Sequence, residues 1–173
     1  MLLGEIHRHG LTELLKDRVR AHVEALKPKR RYRKKGLAST ESDILWDLAR
    51  KIILIRDDFK CRKCGVTQLT RKPGDYEHGY SLHVHHIRSQ GAHPELKYEL
   101  SNLLTLCQNC HMPWRKDSAH SSDPQPFQDW LREHLGQPYL DTLDTLTKIR
   151  KGSRTDKKLM RVFLEQELKR LTG

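Results

Sequence analysis

Two Cys-x-x-Cys pairs constrain the fold of this chain more than any other feature of its sequence. They are Cys61/Cys64 and Cys107/Cys110, with 42 residues between the pairs. Each pair can wrap a tight turn so that two thiolates face one ion, and two such turns complete a tetrahedral zinc site with Zn–S distances of about 2.3 Å. Four thiolates leave no coordination position open for a substrate. We therefore expect a structural zinc ion whose binding contributes directly to folding.

The cysteines also allow two other interpretations. A thiol redox protein of the thioredoxin type uses one such pair at a strand-to-helix turn, whereas this chain has two pairs with zinc-type spacing. Four unrelated buried cysteines would not show paired spacing. The spacing therefore favours a structural metal site over both.

Composition and charge indicate a polyanionic partner. The chain has 33 Lys and Arg against 22 Asp and Glu, a formal net charge of +11. Only 36% of its 173 residues are apolar, so the core is expected to be small and to need help from a metal. The sequence shows no apolar run long enough to span a bilayer, and residues 1–10 do not resemble a signal peptide. We expect a cytoplasmic protein that binds nucleic acid and no membrane.

Hydrophobic periodicity predicts helices at both ends of the chain and irregular structure between them. One helix is predicted over residues 12–26. Thr40, with Asp43 three positions later, is predicted to cap a second helix that leads to Cys61. Three further helices are predicted after Pro126, the first of which ends at Gly136.

These patterns divide the chain into three parts. Residues 1–38 form an N-terminal helix and basic linker, residues 39–120 form a core, and residues 121–173 form a C-terminal helical region. Within the core, an alternating stretch at 80–87 predicts a strand after a polar loop at 67–79.

Between and after the cysteine pairs lies a specific set of histidines and one asparagine. His85-His86 ends the predicted strand, Asn102 follows a loop, and His111 directly follows Cys110. This arrangement resembles the HNH endonuclease family, whose pattern is an Asp-His or His-His pair, an Asn, and a His that opens a helix. The resemblance covers residues 61–111, about a third of the chain. It implies an α+β protein with a ββα-metal core around a four-cysteine zinc site, flanked by N- and C-terminal helices.

The resemblance implies a role for each matching residue. His86 matches the general base, His85 and His111 match ligands of a single catalytic divalent ion, and Asn102 matches the residue that clamps the loop and positions the base. Neutral imidazole suits the deprotonation of water near pH 7, and a divalent cation offsets charge that develops on phosphate. The implied activity is hydrolysis of double-stranded DNA, with 5′ phosphate and 3′ hydroxyl products.

Two departures from the family pattern affect the catalytic metal. Many members have Asp where this chain has His85, and some have a further His at the position of Arg115. His83 and His120 are the candidates for a third ligand. Imidazole ligands favour Mn²⁺, Ni²⁺ or Zn²⁺ over Mg²⁺, and the sequence leaves the choice among these four ions open.

Strand geometry makes it difficult for the two adjacent histidines, His85 and His86, to face the same site. Neighbouring residues of a strand point to opposite faces, so His85 and His86 can both reach one site only where the chain turns at the strand's end. A strand that continues regularly through both residues is expected to remove His85 from the site.

Several basic residues are candidate DNA contacts. Residues 27–35 contain seven basic residues in nine, which either follow DNA phosphates or form a solvated linker. Arg88 and Arg115 are candidates for holding a phosphate at or beside the cleaved bond. Trp114 and Trp130 are expected in the core because helical spacing explains both. The candidates in the basic run are Lys29, Arg30, Arg31, Arg33, Lys34 and Lys35.

The alternative function is a zinc-stabilised module that binds nucleic acid without catalysis. The helix layout after Phe127 is also loosely similar to phage recombination nucleases of the NinG type, which implies a bacterial or phage-infected cell. A double-strand cut from one active site requires either a homodimer or two sequential nicks.

Overall fold

The computed structural model describes residues 40–67 and 81–173. The helix predicted at 12–26, the candidate DNA contacts of the basic run and most of the polar loop lie outside the described residues. The described residues form helices around a two-stranded sheet, which confirms the α+β class. In chain order the elements are α1 (Glu41–Arg56), β1 (Leu82–His86), β2 (Leu103–Cys107), α2 (Gln108–His111), α3 (Gln125–Leu135), α4 (Gln137–Ile149) and α5 (Lys157–Thr172).

Helix α1 begins where the sequence predicts. The Thr40 side chain accepts a hydrogen bond from the Asp43 backbone N–H, and the Asp43 carboxylate accepts one from the Thr40 N–H. This reciprocal capping satisfies two backbone donors that the first helical turn cannot pair internally. The buried face of α1 then packs against the sheet and against α5. Its fully or nearly fully buried residues are Leu45, Ala49, Ile52, Ile53 and Leu54.

The sheet is a single antiparallel pair. Leu82 of β1 is opposite Cys107 of β2, and His86 is opposite Leu103. All five residues of β2 are buried, so this strand forms the centre of the core. Two 3-10 turns, Pro94–Leu96 and Leu100–Asn102, lie in the connection between the strands.

A buried carboxylate joins the end of α1 to β2. The Asp57 side chain is 2% exposed, and its Oδ2 accepts a 2.8 Å hydrogen bond from the backbone N–H of Thr105. Arg56 pairs with Asp57 at 2.9 Å and donates to the Leu103 carbonyl at 2.8 Å. These contacts satisfy a buried charge and hold the segment before Cys61 against the strand that leads to Cys107.

The C-terminal helices follow the sequence-based prediction closely. Gly136 has φ +84°, a backbone conformation that favours glycine, and it separates α3 from α4. Helix α4 is attached to the connection before β2 by a hydrogen bond from the Tyr139 hydroxyl to the Ser101 carbonyl. Helix α5 packs on α1 and buries Leu164 completely.

The prediction that both Trp114 and Trp130 lie in the core is wrong for Trp114. Trp130 packs against the core, but Trp114 is 61% exposed. Helix α2 ends at His111, and Trp114 lies in the turns that follow, so the helical spacing used to predict its burial does not apply. In the described part of the chain, the helices are too short or too polar to cross a membrane.

Removal of the buried carboxylate tests its structural importance. We expect Asp57→Ala to lower the free energy of unfolding by about 2–4 kcal/mol, because the Thr105 N–H and the Arg56 guanidinium lose their buried partner. Asp57→Asn keeps an acceptor oxygen and should cost less. Urea unfolding followed by circular dichroism measures both.

The matched control is Asp129→Ala, which removes an exposed carboxylate that pairs with Arg132. It should change the free energy of unfolding by no more than about 0.5 kcal/mol. An equal effect of the Asp57 and Asp129 substitutions would show that the buried contact does not anchor the sheet.

Candidate functional site

The four cysteines form one cluster, as their spacing predicts. The ligand atoms of Cys61, Cys64, Cys107 and Cys110 all lie within 4.8 Å of one another. The Sγ atoms of Cys64 and Cys107 are 3.6 Å apart. A disulfide would require about 2.05 Å, whereas two sulfurs on a tetrahedral zinc ion at about 2.3 Å each would be about 3.8 Å apart. The cluster is compatible with a zinc site.

The two cysteine pairs lie in two different local structures. In the first, the Gly65 N–H donates to the Cys61 carbonyl at 2.8 Å, and Gly65 has φ +74°, which a residue with a side chain adopts only under strain. In the second, Cys107 ends β2 and Cys110 lies in the single turn of α2. A hydrogen bond from the Arg62 N–H to the Thr105 carbonyl holds the two structures together.

The thiols of this cluster compete for protons. Hydrogen bonds from Cys107 and Cys110 lower the pKa of Cys61 well below its ordinary value. Hydrogen bonds with Cys107 and Cys61, together with burial, raise the pKa of Cys110. Several adjacent thiolates therefore require a neighbouring positive charge, which is the condition that a divalent cation meets.

Three histidines form a second cluster. His85 belongs to β1, His111 ends α2, and His120 lies in the turns that follow; their ligand atoms are all within 4.8 Å of one another. The Nε2 atoms of His111 and His120 are 3.3 Å apart. Two imidazole nitrogens bound at about 2.0–2.1 Å to one tetrahedral ion would be about 3.4 Å apart. The arrangement thus suits a shared cation, and it also suits a direct hydrogen bond between the two rings.

The surroundings of His85 and His111 favour uncharged rings at these two positions. Burial, followed by repulsion from His111 and His120, lowers the pKa of His85 to about 3. Burial, followed by repulsion from His120 and His83, lowers the pKa of His111 to about 4. Neutral imidazole is the form that binds metals. The Nδ1 atom of His111 is also buried without a hydrogen-bond partner among the described residues, and because it points away from Nε2, an ion held through Nε2 does not account for it.

A folded-back turn brings His120 to the cluster. The Ala119 N–H donates to the Cys110 carbonyl at 2.9 Å, and the buried Ser118 hydroxyl donates to the Arg115 carbonyl at 2.8 Å. His83, the other candidate third ligand, stacks on His111 with ring centroids 5.0 Å apart but does not belong to the cluster. The structure therefore groups three histidines where the family pattern accounts for two.

His86 lies on the other face of β1. Its ring stacks on Trp46 of α1, with centroids 5.1 Å apart, and its Nε2 is 3.0 Å from the Lys97 carbonyl. A carbonyl only accepts hydrogen bonds, so Nε2 carries the proton and Nδ1 has the free lone pair. Burial lowers the pKa of His86, with partial opposition from the Lys97 carbonyl. The ring is thus neutral near pH 7 and has a fixed tautomer.

The regular geometry of β1 does not remove His85 from the histidine cluster. Strand β1 continues regularly through His85 to His86, yet His85 is part of the three-histidine cluster. The expectation that a regular strand would remove His85 is therefore wrong. His85 shares its face with His83, and His86 is the residue that alternation turns away from that face.

Asn102 links two parts of the chain around His86. Its side chain is fully buried; Oδ1 accepts from the Arg88 N–H at 2.7 Å, and Nδ2 donates to the Arg88 carbonyl at 2.9 Å. Nδ2 also approaches the Leu96 carbonyl at 3.3 Å. One amide therefore holds both the residue that follows the His86-Ile87 strand end and the residue before Lys97.

The two arginines singled out in the sequence have different surroundings. The Arg88 side chain is 19% exposed, and its Nε lies 2.6 Å from Asp144 of α4. The Arg115 side chain is 57% exposed and pairs with Asp117 at 3.1 Å. Arg88 joins the end of β1 to the C-terminal helices, and Arg115 is more open to solvent. Contact of either residue with phosphate stays a prediction.

Metal analysis tests the four-thiol cluster. We expect about one zinc ion per chain to survive desalting of the wild-type protein, and Cys110→Ser to lose it and to unfold at lower temperature, because the site loses a ligand. His111→Ala is the control, since it changes the neighbouring residue without changing a thiol. Equal zinc content in Cys110→Ser and the wild type would contradict the assignment.

Calorimetric titration of the zinc-loaded protein with Ni²⁺ tests the histidine cluster. We expect His120→Ala to weaken Ni²⁺ binding by at least about tenfold, because one of three imidazole ligands is lost. His134→Ala removes a histidine that stacks on Trp130 outside the cluster and should leave the affinity unchanged. Identical Ni²⁺ affinity of the wild type and His120→Ala would exclude His120 as a ligand.

Comparison with known proteins gives one match. Residues 61–112 match the model of the HNH endonuclease family, and the searches of curated proteins and solved structures found no match. The matched segment contains both cysteine pairs and the histidines of β1 and α2 but ends before His120. Similarity to NinG-type nucleases stays a prediction. The match covers the segment that carries the candidate site, not the whole chain, and it indicates a nuclease or nucleic-acid-binding role.

Proposed function

We propose that this protein is a metal-dependent endonuclease that hydrolyses phosphodiester bonds of double-stranded DNA. The observation that carries the proposal is the cluster of His85, His111 and His120, with ligand atoms within 4.8 Å of one another. A fourth histidine, His86, has a fixed tautomer and is near enough for its charge to lower the pKa of His85 and of His111. A module that only binds nucleic acid needs neither feature.

The three clustered histidines are proposed to hold one divalent cation. Their neutral rings are the binding form, and three protein ligands leave coordination positions for water and phosphate. When bound, the cation would offset the negative charge that develops on the phosphate during hydrolysis. Because all three ligands are imidazoles, the site favours Mn²⁺, Ni²⁺ or Zn²⁺ over Mg²⁺.

His86 is proposed to be the general base. Its Nδ1 accepts the proton of the attacking water, while Nε2 continues to donate to the Lys97 carbonyl and holds the ring in place. The ring becomes positively charged in this step. Stacking on Trp46 then stabilises it, because the face of an indole attracts cations.

Asn102 is proposed to be a positioning residue. It holds the Leu96 carbonyl and the Arg88 backbone, and these residues flank the Lys97 acceptor and the end of β1 respectively. Its side chain therefore sets the distance between His86 and Lys97. A clamp of this kind maintains the tautomer of the base without contact with substrate.

The four thiols are proposed to bind a structural zinc ion. Cys110 and His111 are adjacent in α2, a helix of one turn that has little stability of its own. A zinc ion on Cys107 and Cys110 would fix this turn and so the direction of the His111 side chain. The net charge of +11 supports DNA as the substrate.

Single-turnover cleavage of a labelled DNA duplex in Mn²⁺ tests the base. We expect His86→Gln to reduce the cleavage rate by at least about 100-fold, because glutamine retains an N–H for the Lys97 carbonyl but provides no base. Thermal stability and Ni²⁺ affinity should stay close to those of the wild type, which separates a catalytic defect from misfolding.

Two outcomes would contradict the proposal. Equal cleavage rates for the wild type and His86→Gln would remove His86 from the mechanism. Absence of cleavage by the wild type across Mg²⁺, Mn²⁺, Ni²⁺ and Zn²⁺, with salt-dependent DNA binding retained, would favour a zinc-stabilised binding module.

A further inference from the structure

A basic cavity lies beside the candidate active site. It has a volume of about 890 Å³ and is formed by residues 92–98 on one side and by the connector between α4 and α5 on the other. Among the described residues that line it, Glu95 is the acidic one. The basic residues that line it are Lys97, Lys148, Lys151, Arg154 and Lys157.

The positive charge of this cavity is not neutralised within the described part of the chain. None of its five basic side chains forms an ion pair with a described residue. The Glu95 side chain is 5% exposed and lies 3.4 Å from His93, so it is turned towards its own loop. Like charges held together in this way repel one another, and an anionic ligand relieves that repulsion.

The walls of the cavity are anchored to the rest of the fold. Arg150, at the end of α4, pairs with Glu99 at 2.8 Å, and Arg88 pairs with Asp144 of α4 at 2.6 Å. The connector turns at Gly152, which has φ +74° and open space on its side-chain position. Two ion pairs thus hold the backbone of the connector against the loop between the strands, and the basic side chains of Lys148, Lys151, Arg154 and Lys157 are exposed to solvent around it.

The cavity also adjoins the proposed base. The carbonyl of Lys97 accepts the hydrogen bond from His86 Nε2, and Lys97 is itself one of the residues that line the cavity. A ligand in the cavity therefore contacts the residue whose carbonyl orients His86.

We propose that this cavity binds the sugar-phosphate backbone of one DNA strand next to the cleaved bond. That the bound polyanion is DNA rests on the proposed nuclease function. The charge and the shape of the cavity are independent of that function. Its volume lies within the range of small-molecule pockets, about 300–1,000 Å³, so it accommodates a few phosphates of one strand and excludes the full duplex. Contacts to phosphate fix the position of DNA without regard to its sequence.

Fluorescence anisotropy with a labelled duplex tests the cavity, in the absence of added divalent metal so that no cleavage occurs. The variant Lys148→Gln/Lys151→Gln/Arg154→Gln removes three basic residues of the cavity. We expect its DNA affinity at about 0.1 M salt to fall by at least about tenfold. The slope of log K against log salt should fall by about 2–3, because each lost phosphate contact contributes about 0.9.

The matched control is Lys158→Gln/Lys169→Gln/Arg170→Gln, which removes the same charge from exposed positions of α5 outside the cavity. It should retain most of the affinity. An equal loss in both triple variants would show that only net charge matters, and an unchanged affinity of the cavity variant would exclude the site. Either result overturns the proposal.

Two further arms identify the ligand and separate this proposal from the nuclease assignment. Inorganic phosphate at constant ionic strength should not displace the duplex. Vesicles containing phosphatidylserine should bind the cavity variant and the matched control variant equally, because both have lost the same charge. Vesicle binding lost in the cavity variant with DNA binding retained would overturn the proposal in favour of a membrane surface. Normal cleavage by the cavity variant with unchanged DNA affinity would overturn it while leaving the nuclease function intact.

Discussion

The meeting of four thiols at one point is the constraint on which the rest of the described structure depends. Cys61 and Cys64 follow α1, whereas Cys107 and Cys110 lie at the end of β2 and in α2. Their cluster therefore joins the first helix to the sheet across a connection that includes residues 68–80. In a chain with few apolar residues, a metal at this point would replace part of the hydrophobic core as the source of stability.

The alternation of β1 divides the proposed chemistry between two faces of one strand. His85 lies with the other clustered histidines on one face, and His86 lies against Trp46 on the other. Under the proposed mechanism, adjacent residues serve metal binding and proton transfer without competition for space. The two side chains nevertheless act on each other, because the charge of His86 lowers the pKa of His85 and of His111. Asn102 holds the chain immediately after the strand.

Much of this architecture could be predicted from local sequence signals. The cysteine spacing predicted the thiol cluster, the Thr40 and Asp43 pair predicted the start of α1, and Gly136 predicted the end of α3. The cap, the glycine and each Cys-x-x-Cys turn act within a few residues. The meeting of the two cysteine pairs could be expected because a structural zinc ion needs four ligands. Tertiary contacts do not need to be known for predictions of this kind.

Features that depend on contacts between distant parts of the chain could not be predicted from local sequence signals. The sequence named His83 and His120 as candidates for a third ligand but gave no reason to prefer His120, because it joins His111 through irregular turns nine positions later. Trp114 lies in the same turns and is exposed for the same reason. The basic cavity combines Lys97 with residues of the α4–α5 connector, about fifty positions away in sequence, and only the packed structure brings them together.

The claim at the centre of this account is that the chain binds two metal ions in two chemically distinct sites. Anomalous diffraction from crystals of the zinc-loaded protein grown with Mn²⁺ tests it most directly, with data collected at the zinc edge and at a wavelength where Mn²⁺ dominates. We expect a zinc peak among Cys61, Cys64, Cys107 and Cys110 and a manganese peak among His85, His111 and His120. A zinc peak at the cysteines with no anomalous density at the histidines would contradict it.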